Sequence, residues 1–331
     1  MGSNPLVSVI IPTYNHGRYL GRAIQSLLGQ SYANWELVIV VDGSTDNTLE
    51  VIRSFEDARI THIYQQNRGV RQLAATINAG LGRTRGELVT MLPSDDTWPG
   101  YRLEKQVPVF ADPNVALCFG RQYIIDENDR ILGENKAPPD LDRIENRPIG
   151  SALHEMFVAN FIAQPTVLIR RAALDKIGGY LQPPGLLAED YPTHMALALV
   201  GEFRYLDLVL GNYRMHEAQM TRNHYLEMVR TDMPYVLEFF RGLDPETQKR
   251  TGWGEADLAR ALSARLYNTY FEVGRRGLLA AEWTDARRHF VTALRHGNPK
   301  TKLKAFVGLS CSVLRMDLEK AARLAGRTPL R

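Results

Sequence analysis

Cysteine is scarce in this chain, which carries Cys118 and Cys311 as its two cysteines among 331 residues. They lie far apart and form no C-x-x-C pair, so neither a disulfide framework nor a cysteine-based zinc site is expected. A reducing compartment follows, and we expect a cytoplasmic location. A large excess of charge of one sign is also absent, because 40 Lys and Arg residues against 37 Asp and Glu residues leave a net charge of +3. No nucleic-acid partner is expected from so small an excess.

Long hydrophobic runs are absent as well. The longest late apolar run, residues 305–314, is interrupted by Gly308 and Ser310 and is shorter than the roughly 20 residues that span a bilayer. The first residues lack the basic and long apolar segments of a signal peptide, so none is expected. The chain has no G-x-G-x-x-G after its first apolar segment and no G-x-x-x-x-G-K-[ST]. These absences argue against a dinucleotide-dependent oxidoreductase and a P-loop enzyme.

Short apolar segments alternate with amphipathic ones over the first 120 residues. The apolar segments predict strands at 7–11, 35–41, 60–64 and 88–92. The intervening segments predict helices at 19–30, 47–55 and 73–81. Nearly continuous apolar strands between amphipathic helices are typical of a parallel sheet that is covered on both faces.

The pattern changes after residue 115. Further strands are predicted at 117–119, 122–126, 130–132, 166–170 and within 203–215. Helices are predicted at 172–177 and 190–199, and residues 136–148, rich in proline and charge, predict a mobile loop. After about residue 225 only helical patterns remain. We therefore predict an α/β fold with a mostly parallel, mixed sheet flanked by helices (residues 1–221) and a C-terminal all-helical module (residues 222–331).

Polar residues follow several of the predicted strands. The segments are 12–15, 42–46, 93–96 and, much later, 189–190. Each alone has a plain explanation as a turn, a helix cap or a complement to a helix dipole. Together they indicate a ligand site, because ligands of parallel sheets bind outside the carboxyl ends of the strands.

The order of these segments resembles that of the inverting family 2 glycosyltransferases, which have the GT-A fold. The segments that carry the resemblance are 7–15, 42–46, 67–69, 78–80, 94–98, 178–180, 189–191 and 213–216. It extends from about residue 5 to residue 221, roughly two thirds of the chain.

The resemblance implies a nucleotide-sugar donor. A UDP-sugar is the first expectation and a dTDP-sugar the second, because both pyrimidines present the same N3–H group. Asp42 is implied to accept a hydrogen bond from that N3–H, while Pro12 and Tyr14 line the base pocket. The other residues assigned to the donor site are Thr13, Asn15, Asn67, Gly69, Asp95 and Arg214.

The resemblance also implies a divalent cation, Mg²⁺ or Mn²⁺, bound by Asp96 and His216. The cation would bridge the two phosphates and neutralise the leaving nucleotide, while Asp95 faces ribose or the donor sugar. Asp190 is implied to be the general base that takes the proton of the acceptor hydroxyl, and Glu189 to orient hydroxyl groups. Alternatively, Arg214 is an ordinary surface arginine and His216 is a structural histidine.

Three positions depart from the common family pattern. Val41 and Pro93 stand where many relatives carry an acid, and Ile77 stands where an arginine is frequent. These departures support an alternative function, a non-catalytic glycan-binding or scaffold protein that keeps the fold. Asp42, Asp96 and Asp190 argue against that alternative. A sugar-phosphate nucleotidylyltransferase is a third option, but it would need a Gly-rich basic loop after the first strand.

The helical module has two interpretations besides ordinary core packing. Residues 258–294 resemble a single tetratricopeptide-type hairpin, which favours packing on the catalytic domain or on a partner protein. Residues 300–314 have lysines around an apolar centre, which favours peripheral contact of the C-terminal helices with the inner face of the cell membrane. Oligomer formation through these helices is a further expectation without direct support.

Taken together, the sequence predicts a bacterial-type, metal-dependent inverting glycosyltransferase. The acceptor implied by the resemblance is a hydroxyl of a saccharide or of a lipid-linked saccharide, that is a glycolipid, in surface polysaccharide synthesis. The predicted partners are therefore a nucleotide-sugar donor and this acceptor.

Overall fold

The computed structural model describes residues 4–135 and 140–316. Within them the strands are β1 (Val7–Thr13), β2 (Trp35–Asp42), β3 (Ile60–Gln65), β4 (Leu88–Met91), β5 (Val115–Ile125), β6 (Ile131–Glu134), β7 (Leu168–Arg170) and β8 (Glu202–Arg214). The first helices are α1 (Gly17–Leu28), α2 (Thr48–Arg53), α3 (Leu73–Leu81), α4 (Arg102–Gln106), α5 (Leu141–Ile144), α6 (Leu153–Met156), α7 (Arg171–Lys176) and α8 (Asp190–Leu197). The later helices are α9 (Met220–Gly242), α10 (Pro245–Thr251), α11 (Glu255–Leu279), α12 (Trp283–His296) and α13 (Pro299–Val313).

The chain divides into two compact units. One comprises Met1–Gln219 together with Arg250–Gly252, and the other comprises Met220–Lys249 and Trp253–Arg331. The short return at Arg250–Gly252 lies within the segment that the sequence assigns to the helical module. It is held in the first unit by the Thr251 carbonyl, which lies 2.5 Å from Nδ1 of His154, and by Arg250, which donates to the Ile149 carbonyl at 2.6 Å.

The first unit contains a mixed sheet, as predicted. Its strands lie in the order β3-β2-β1-β4-β7-β5-β6, and β8 pairs with β5. β1 to β4 run parallel to one another, β7 is antiparallel to β4 and β5, and β6 is antiparallel to β5. The carboxyl ends of the four parallel strands therefore meet at one edge of the sheet, where the polar segments of the sequence were expected.

The sheet is covered on both faces because its central strands alternate between two apolar surfaces. On one face, Val9, Ile11 and Leu37 pack in a core that includes the buried side of α1, Leu20 and Ile24. Burial of a Leu or Ile side chain stabilises the fold by roughly 1.5–3 kcal/mol. On the other face lies α3.

The contact of α3 with the sheet depends on a glycine. A Cβ atom at Gly80 would lie 2.8 Å from methyl carbons of both Ile10 and Val40. Glycine at this position therefore lets the helix backbone approach the sheet closely.

One element differs from its prediction because of a pairing that the sequence does not reveal. β5 is a single strand, whereas two strands were predicted with a break at Gly120 and Arg121. β8 pairs with β5 along its length, and the irregular residues appear as shifts in register rather than as an end of the strand. Gly120 fits there because a Cβ atom would lie 2.7 Å from Leu210 and 2.8 Å from two carbonyl oxygens of β8.

The predicted loop at 136–148 lies partly outside the described residues, which resume at residue 140. In the described part, α5 occupies Leu141–Ile144. The loop prediction is therefore wrong for that short helical turn.

The second unit is helical throughout its described residues, as predicted. α11, α12 and α13 pack around Phe290, whose side chain is fully buried. A Cβ atom at Gly274 of α11 or at Gly308 of α13 would lie 2.9 Å or 2.5 Å from the Phe290 ring. The ring is thus seated between two glycines. None of the helices in the described ranges is long and apolar enough to cross a lipid bilayer.

Candidate functional site

The loops that follow β1 and β2 are joined by side-chain hydrogen bonds. The Asn15 amide donates to Ser44 Oγ at 3.0 Å, and Asn15 Oδ1 accepts from the Thr45 amide at 2.7 Å. Asn15 has a φ of 51°, which asparagine tolerates better than most residues. Asn15, although exposed, therefore ties the two loops to each other.

The other residues at the end of β1 differ in exposure. Tyr14 is 49% exposed, Pro12 is half-buried, and Thr13 is buried without a partner for its hydroxyl among the described residues. Tyr14 is thus an accessible ring at the carboxyl end of the central strand. Thr13, assigned to the donor site from the sequence, instead faces the interior.

Asp42 lies at the end of β2 and is held by two groups. Its Oδ1 accepts from Gln65 Nε2 at 2.6 Å and from the Arg68 amide at 3.1 Å. Gln65 also donates to Thr76 Oγ1 of α3 at 2.9 Å, which fixes the amide. The carboxylate is buried, and its second oxygen accepts a longer hydrogen bond from the Arg68 amide, at 3.2 Å.

Gly43 brings the next segment close to Asp42. It has a φ of +73°, and a Cβ atom there would lie 2.7 Å from the Asn67 amide nitrogen. Asn67 itself is exposed, and Gly69 also adopts a left-handed φ of 75°. The predicted residues Asp42, Asn67 and Gly69 therefore belong to one tight loop cluster.

Two histidines and one carboxylate form a candidate metal site. Ligand atoms of His16, Asp95 and His216 all lie within 4.8 Å of one another. His216 Nε2 is 3.0 Å from Asp95 Oδ2, and His16 Nδ1 is 2.7 Å from Ser94 Oγ. His16 comes from the start of α1, Asp95 follows β4, and His216 follows β8, so the fold converges three distant segments on one point.

Asp96 was assigned as the direct metal ligand from the sequence, but it is not a member of this group. Its side chain is buried, and Oδ1 accepts from the Arg214 amide at 2.8 Å. Adjacent loop residues direct their side chains differently, and here Asp95 meets the histidines while Asp96 binds the end of β8. The structure thus places Asp95 beside the two histidines, whereas the sequence assigned the metal to Asp96 and placed Asp95 at ribose or the donor sugar.

Arg214 was assigned to the donor site, yet its guanidinium is completely buried. Nε donates to the Asp95 carbonyl at 2.7 Å, Nη1 to the Asp126 carbonyl at 2.8 Å, and Nη2 to Asp129 Oδ1 at 2.5 Å. All three nitrogens are therefore occupied within the protein. Arg214 holds the Asp95 loop in place.

The pKa values of the two adjacent aspartates are shifted in opposite directions. Burial acts to raise the pKa of Asp95, but the His216 hydrogen bond and the charges of His16 and His216 hold that pKa below its usual value. Burial, followed by the charge of Asp95, raises the pKa of Asp96 well above its usual value. Asp95 is the carboxylate that stays ionised beside the histidines.

Glu189 and Asp190 form a second carboxylate pair at the start of α8. Asp190 accepts from Asn160 Nδ2 at 2.9 Å and from the Tyr191 amide at 2.7 Å. Burial raises the pKa of Asp190, against those hydrogen bonds. Burial and the charge of Asp190 raise the pKa of Glu189 to about 8. Burial thus favours the protonated form of Glu189 at neutral pH and shifts the pKa of Asp190 in the same direction.

The segment before this pair is anchored to α3. Asn78 donates to the Tyr180 carbonyl at 2.8 Å and accepts from the Tyr180 amide at 2.9 Å. A Cβ atom at Gly179, where φ is +97°, would lie 2.7 Å from Asn78 Oδ1. The sequence segments that contain Asn78 and Gly178–Gly179 are therefore in contact, and the Asn78 side chain fixes the backbone of Tyr180.

Two departures noted in the sequence are core positions. The side chains of Val41 and Ile77 are fully buried, while Pro93 is half-buried. Valine and isoleucine at 41 and 77 therefore serve packing in this chain.

Sequence reasoning missed several polar residues of the site. His16 stands one position after a matched segment and was not named. Ser94 lies within a matched segment but was given no role, and it bonds His16, while Gln65 bonds Asp42. A histidine next to a strand-end loop was the available signal for His16. Asn160 had no signal, because it lies 30 residues from Asp190 in an irregular segment.

Comparison with known proteins adds an independent finding. The sequence model of the family described as Glycosyl transferase family 2 matches residues 8–178. That range contains the loops after β1, β2 and β4, and with them His16, Asp42 and Asp95.

Relatives of the chain that carry names are also glycosyltransferases. The chain is 30% identical over 236 residues, 70% of its length and 87% of the other protein, to the putative teichuronic acid biosynthesis glycosyltransferase TuaG of Bacillus subtilis. It is 28% identical, over 68% of its length and 83% of the other protein, to WfgD of Escherichia coli. WfgD is named a UDP-Glc:alpha-D-GlcNAc-diphosphoundecaprenol beta-1,3-glucosyltransferase.

A solved structure with a similar fold is the mannosyltransferase PcManGT from Pyrobaculum calidifontis in complex with GDP-Man and Mn²⁺. It superposes with a TM-score of 0.61 at 18% identity, covering 94% of this chain and 81% of the other. At that identity the likeness concerns the fold.

Proposed function

Because the chain belongs to glycosyl transferase family 2 and has the GT-A fold, we propose a metal-dependent, inverting transfer of a sugar from a UDP-sugar to a hydroxyl of a lipid-linked saccharide. That the protein is a glycosyltransferase follows from the family. The cation, the donor nucleotide, the base and the acceptor are the proposed parts. The observation that carries the proposal is the group of His16, Asp95 and His216 at the carboxyl ends of the parallel strands.

The donor nucleotide is assigned from the loops around Asp42. A carboxylate fixed by Gln65 and the Arg68 amide is a suitable acceptor for the uracil N3–H, and the exposed Tyr14 ring offers a stacking surface. WfgD, which is named for UDP-glucose, supports UDP over dTDP. A thymine base keeps the same N3–H, so dTDP-sugars are the second candidate.

The cation is assigned to Asp95, His16 and His216. Two imidazole nitrogens and one carboxylate suit a transition-metal ion such as Mn²⁺ better than Mg²⁺, which prefers oxygen ligands. The ionised state of Asp95 and the Ser94 bond to His16 fit such a ligand set. When bound, the cation supplies charge neutralisation for the leaving nucleoside diphosphate.

Asp190 is assigned as the general base. The acceptor oxygen forms a bond to the anomeric carbon as the bond to the diphosphate breaks, and the hydroxyl proton passes to the Asp190 carboxylate. Its raised pKa makes Asp190 a stronger base than an exposed aspartate, and Asn160 orients it. Glu189, protonated at neutral pH, can donate a hydrogen bond to a sugar hydroxyl.

The acceptor class is taken from the relatives. WfgD is named for a diphosphoundecaprenol-linked acceptor and TuaG for teichuronic acid biosynthesis. A saccharide carried on a polyprenyl diphosphate, used for a surface polysaccharide, is the acceptor that we propose.

The base assignment is tested with Asp190→Asn. This variant keeps the hydrogen bond to Asn160 in one amide orientation and removes the basic oxygen, so it should bind UDP with Mn²⁺ at wild-type affinity and lose transfer by at least about a hundredfold. Calorimetry measures binding, and release of UDP with acceptor-dependent product, seen by mass spectrometry, measures transfer. Glu87→Gln, at an exposed residue next to the amino end of β4, is the matched control and should keep both. Normal turnover in Asp190→Asn would refute the base role.

The cation assignment is tested by comparing the two adjacent aspartates. Asp95→Asn should abolish the Mn²⁺-dependent part of UDP binding. Asp96→Asn keeps an oxygen that accepts from the Arg214 amide, so it should retain most of that binding. The reverse result would return the ligand role to Asp96. Removal of metal by EDTA should stop transfer, and Mn²⁺ should restore it at lower concentration than Mg²⁺.

A further inference from the structure

The last described helix, α13, has one packed face and one exposed face. Ala305, Gly308 and Cys311 point to the inside of the helical unit. The opposite side carries large apolar side chains that are 46% to 69% exposed, namely Leu303, Phe306, Val307, Val313 and Leu314. We call these five residues the α13 face. An apolar stripe of this size on a single helix is more than the scattered exposed residues of an ordinary surface.

Basic residues border this face, and acidic residues are absent from it. Lys300, Lys302, Lys304 and Arg315 are exposed, and residues 299–316 contain no Asp or Glu. Successive residues of an α-helix are about 100° apart, so Lys302 and Lys304 flank Leu303 on either side. Lys304 also lies over the Phe271 ring, with Nζ 5.6 Å from its centre, which steadies that flank.

An apolar face bordered by lysines fits a lipid bilayer better than a protein partner. Lysine is depleted from the cores of protein–protein interfaces, where its charge would be desolvated. At a bilayer surface the same side chains lay their aliphatic stems along the apolar layer and place their charges among the headgroups. The cationic border complements anionic lipids.

We propose that the α13 face binds the surface of an anionic lipid bilayer, with α13 lying in the plane of the interface. The apolar side chains would enter the boundary between headgroups and acyl chains, and the flanking lysines would contact anionic headgroups. A helix of 15 residues suits this orientation and is too short to span. The proposal stands on the helical unit and does not depend on the transferase reaction.

The test uses the full chain and flotation with two kinds of vesicle, phosphatidylcholine alone and phosphatidylcholine mixed with phosphatidylglycerol. The wild type should partition onto the mixed vesicles, and salt should weaken that binding. Leu303→Ser combined with Phe306→Ser should lower the partition coefficient about tenfold to a hundredfold. Lys302→Gln and Lys304→Gln should each lower it about fivefold, on the mixed vesicles alone.

Leu279→Ser is the matched control, since Leu279 is a 47% exposed leucine at the end of α11 and lies outside the face. It should keep wild-type binding, and circular dichroism should show that every variant is folded. Equal binding by the wild type and the Leu303/Phe306 double variant would overturn the proposal, as would no binding of the wild type to the mixed vesicles. A wild-type dimer in sedimentation that the double variant dissociates would also overturn it, because the face would then join two copies.

Discussion

At the level of single side chains, the ligands of the proposed cation site are held by neighbours that do not touch the cation. Ser94 Oγ binds a ring nitrogen of His16, and the Arg214 guanidinium binds the carbonyl of Asp95. Arg214 is in turn packed over the Tyr19 ring, at 5.3 Å from its centre, and that ring lies 4.9 Å from His216. Positioning residues of this kind restrict ring and carboxylate orientations before a metal arrives.

Ser94→Ala therefore tests positioning without removing a ligand. The His16 ring loses its hydrogen bond at Nδ1, so Mn²⁺ affinity should fall about 10- to 100-fold. Calorimetric titration of Mn²⁺ in the presence of UDP measures the change. Ser26→Ala, which removes a hydroxyl bonded within α1 to the Ala23 carbonyl, is the control and should leave the affinity unchanged. A loss of stability in Ser94→Ala with unchanged Mn²⁺ affinity would mean that Ser94 has a structural role alone.

Glu189 gives a prediction for pH. Its pKa is about 8 in the folded chain against 4.5 for an unperturbed glutamate. Between these values the unfolded chain has lost the proton that the native state keeps, so the free energy of unfolding should fall as pH rises from about 4.5 to about 8. Glu189→Gln removes this titration and should flatten that fall.

Urea denaturation across this pH interval measures the effect, with Glu87→Gln as a control that should keep the wild-type slope. An unchanged slope in Glu189→Gln would show that another group causes the pH dependence. In that case Asp190, whose pKa is also raised, would be the first group to examine.

Residue types at the site were easier to predict from the sequence than residue orientations. The positions after β1, β2 and β4 follow from the strand pattern and the family motifs, and they do hold Asn15, Asp42 and Asp95. Which of two adjacent aspartates meets a histidine depends on local loop geometry, which no sequence period encodes. The burial of Arg214 depends on carbonyl and carboxylate groups 85 to 119 residues away, and such contacts leave no local pattern.

At the level of helices and strands, the position of α3 links several parts of the site. Thr76 on this helix accepts from Gln65, which holds Asp42, and Asn78 locks the backbone of Tyr180. The approach of the helix to the sheet is set by Gly80, which packs on Ile10 and Val40. A shift of α3 should therefore disturb both the Asp42 cluster and the segment that leads to Glu189.

Gly80→Ala should show the importance of that approach. The added Cβ meets two stiff β-branched side chains, so we expect a loss of about 1–3 kcal/mol in the free energy of unfolding. Gly82→Ala is the matched control two residues later, because its Cβ would make ordinary contacts of 3.6 Å and 3.8 Å and its φ is −64°. The control should be neutral or stabilising by up to about 1 kcal/mol. Equal urea midpoints for the two variants would contradict the packing argument.

Among the elements, the approximate positions of the strands were predictable from the sequence, but the continuity of β5 was not. β1, β2 and β4 are mostly apolar and almost entirely buried, which produces a strong pattern. β3, at the edge of the sheet, has half-buried and exposed positions and a weaker pattern. β5 and β8 carry half-buried and polar positions and are stabilised by each other over a long sequence separation. Their continuity is a tertiary effect that overrides the local signal of Gly120 and Arg121.

At the level of the whole molecule, the chain has two units with separate cores. One core lies on the face of the sheet covered by α1, and the other surrounds Phe290 in α11, α12 and α13. Units with their own cores are expected to unfold in separate transitions. Nucleotide and cation are proposed to bind one unit, so they should stabilise one transition.

Differential scanning calorimetry should resolve two transitions. UDP with Mn²⁺ at about 100 times its dissociation constant should stabilise one unit by about 2.7 kcal/mol and leave the other transition unchanged. Gly308→Ala should lower the other transition, because the new Cβ would lie 2.5 Å from the Phe290 ring. A single transition that moves as a whole under both changes would refute the independence of the two units.

The setting of Phe290 also constrains how the helical unit can diverge over evolution. One aromatic ring occupies the volume that side chains at 274 and 308 would need, so these three positions share one fixed amount of space. In descendants of this chain, a larger residue at either glycine should appear together with a smaller one at 290. Natural variation at these sites should therefore be correlated rather than independent, even though α11 and α13 are separated by a whole helix in the chain.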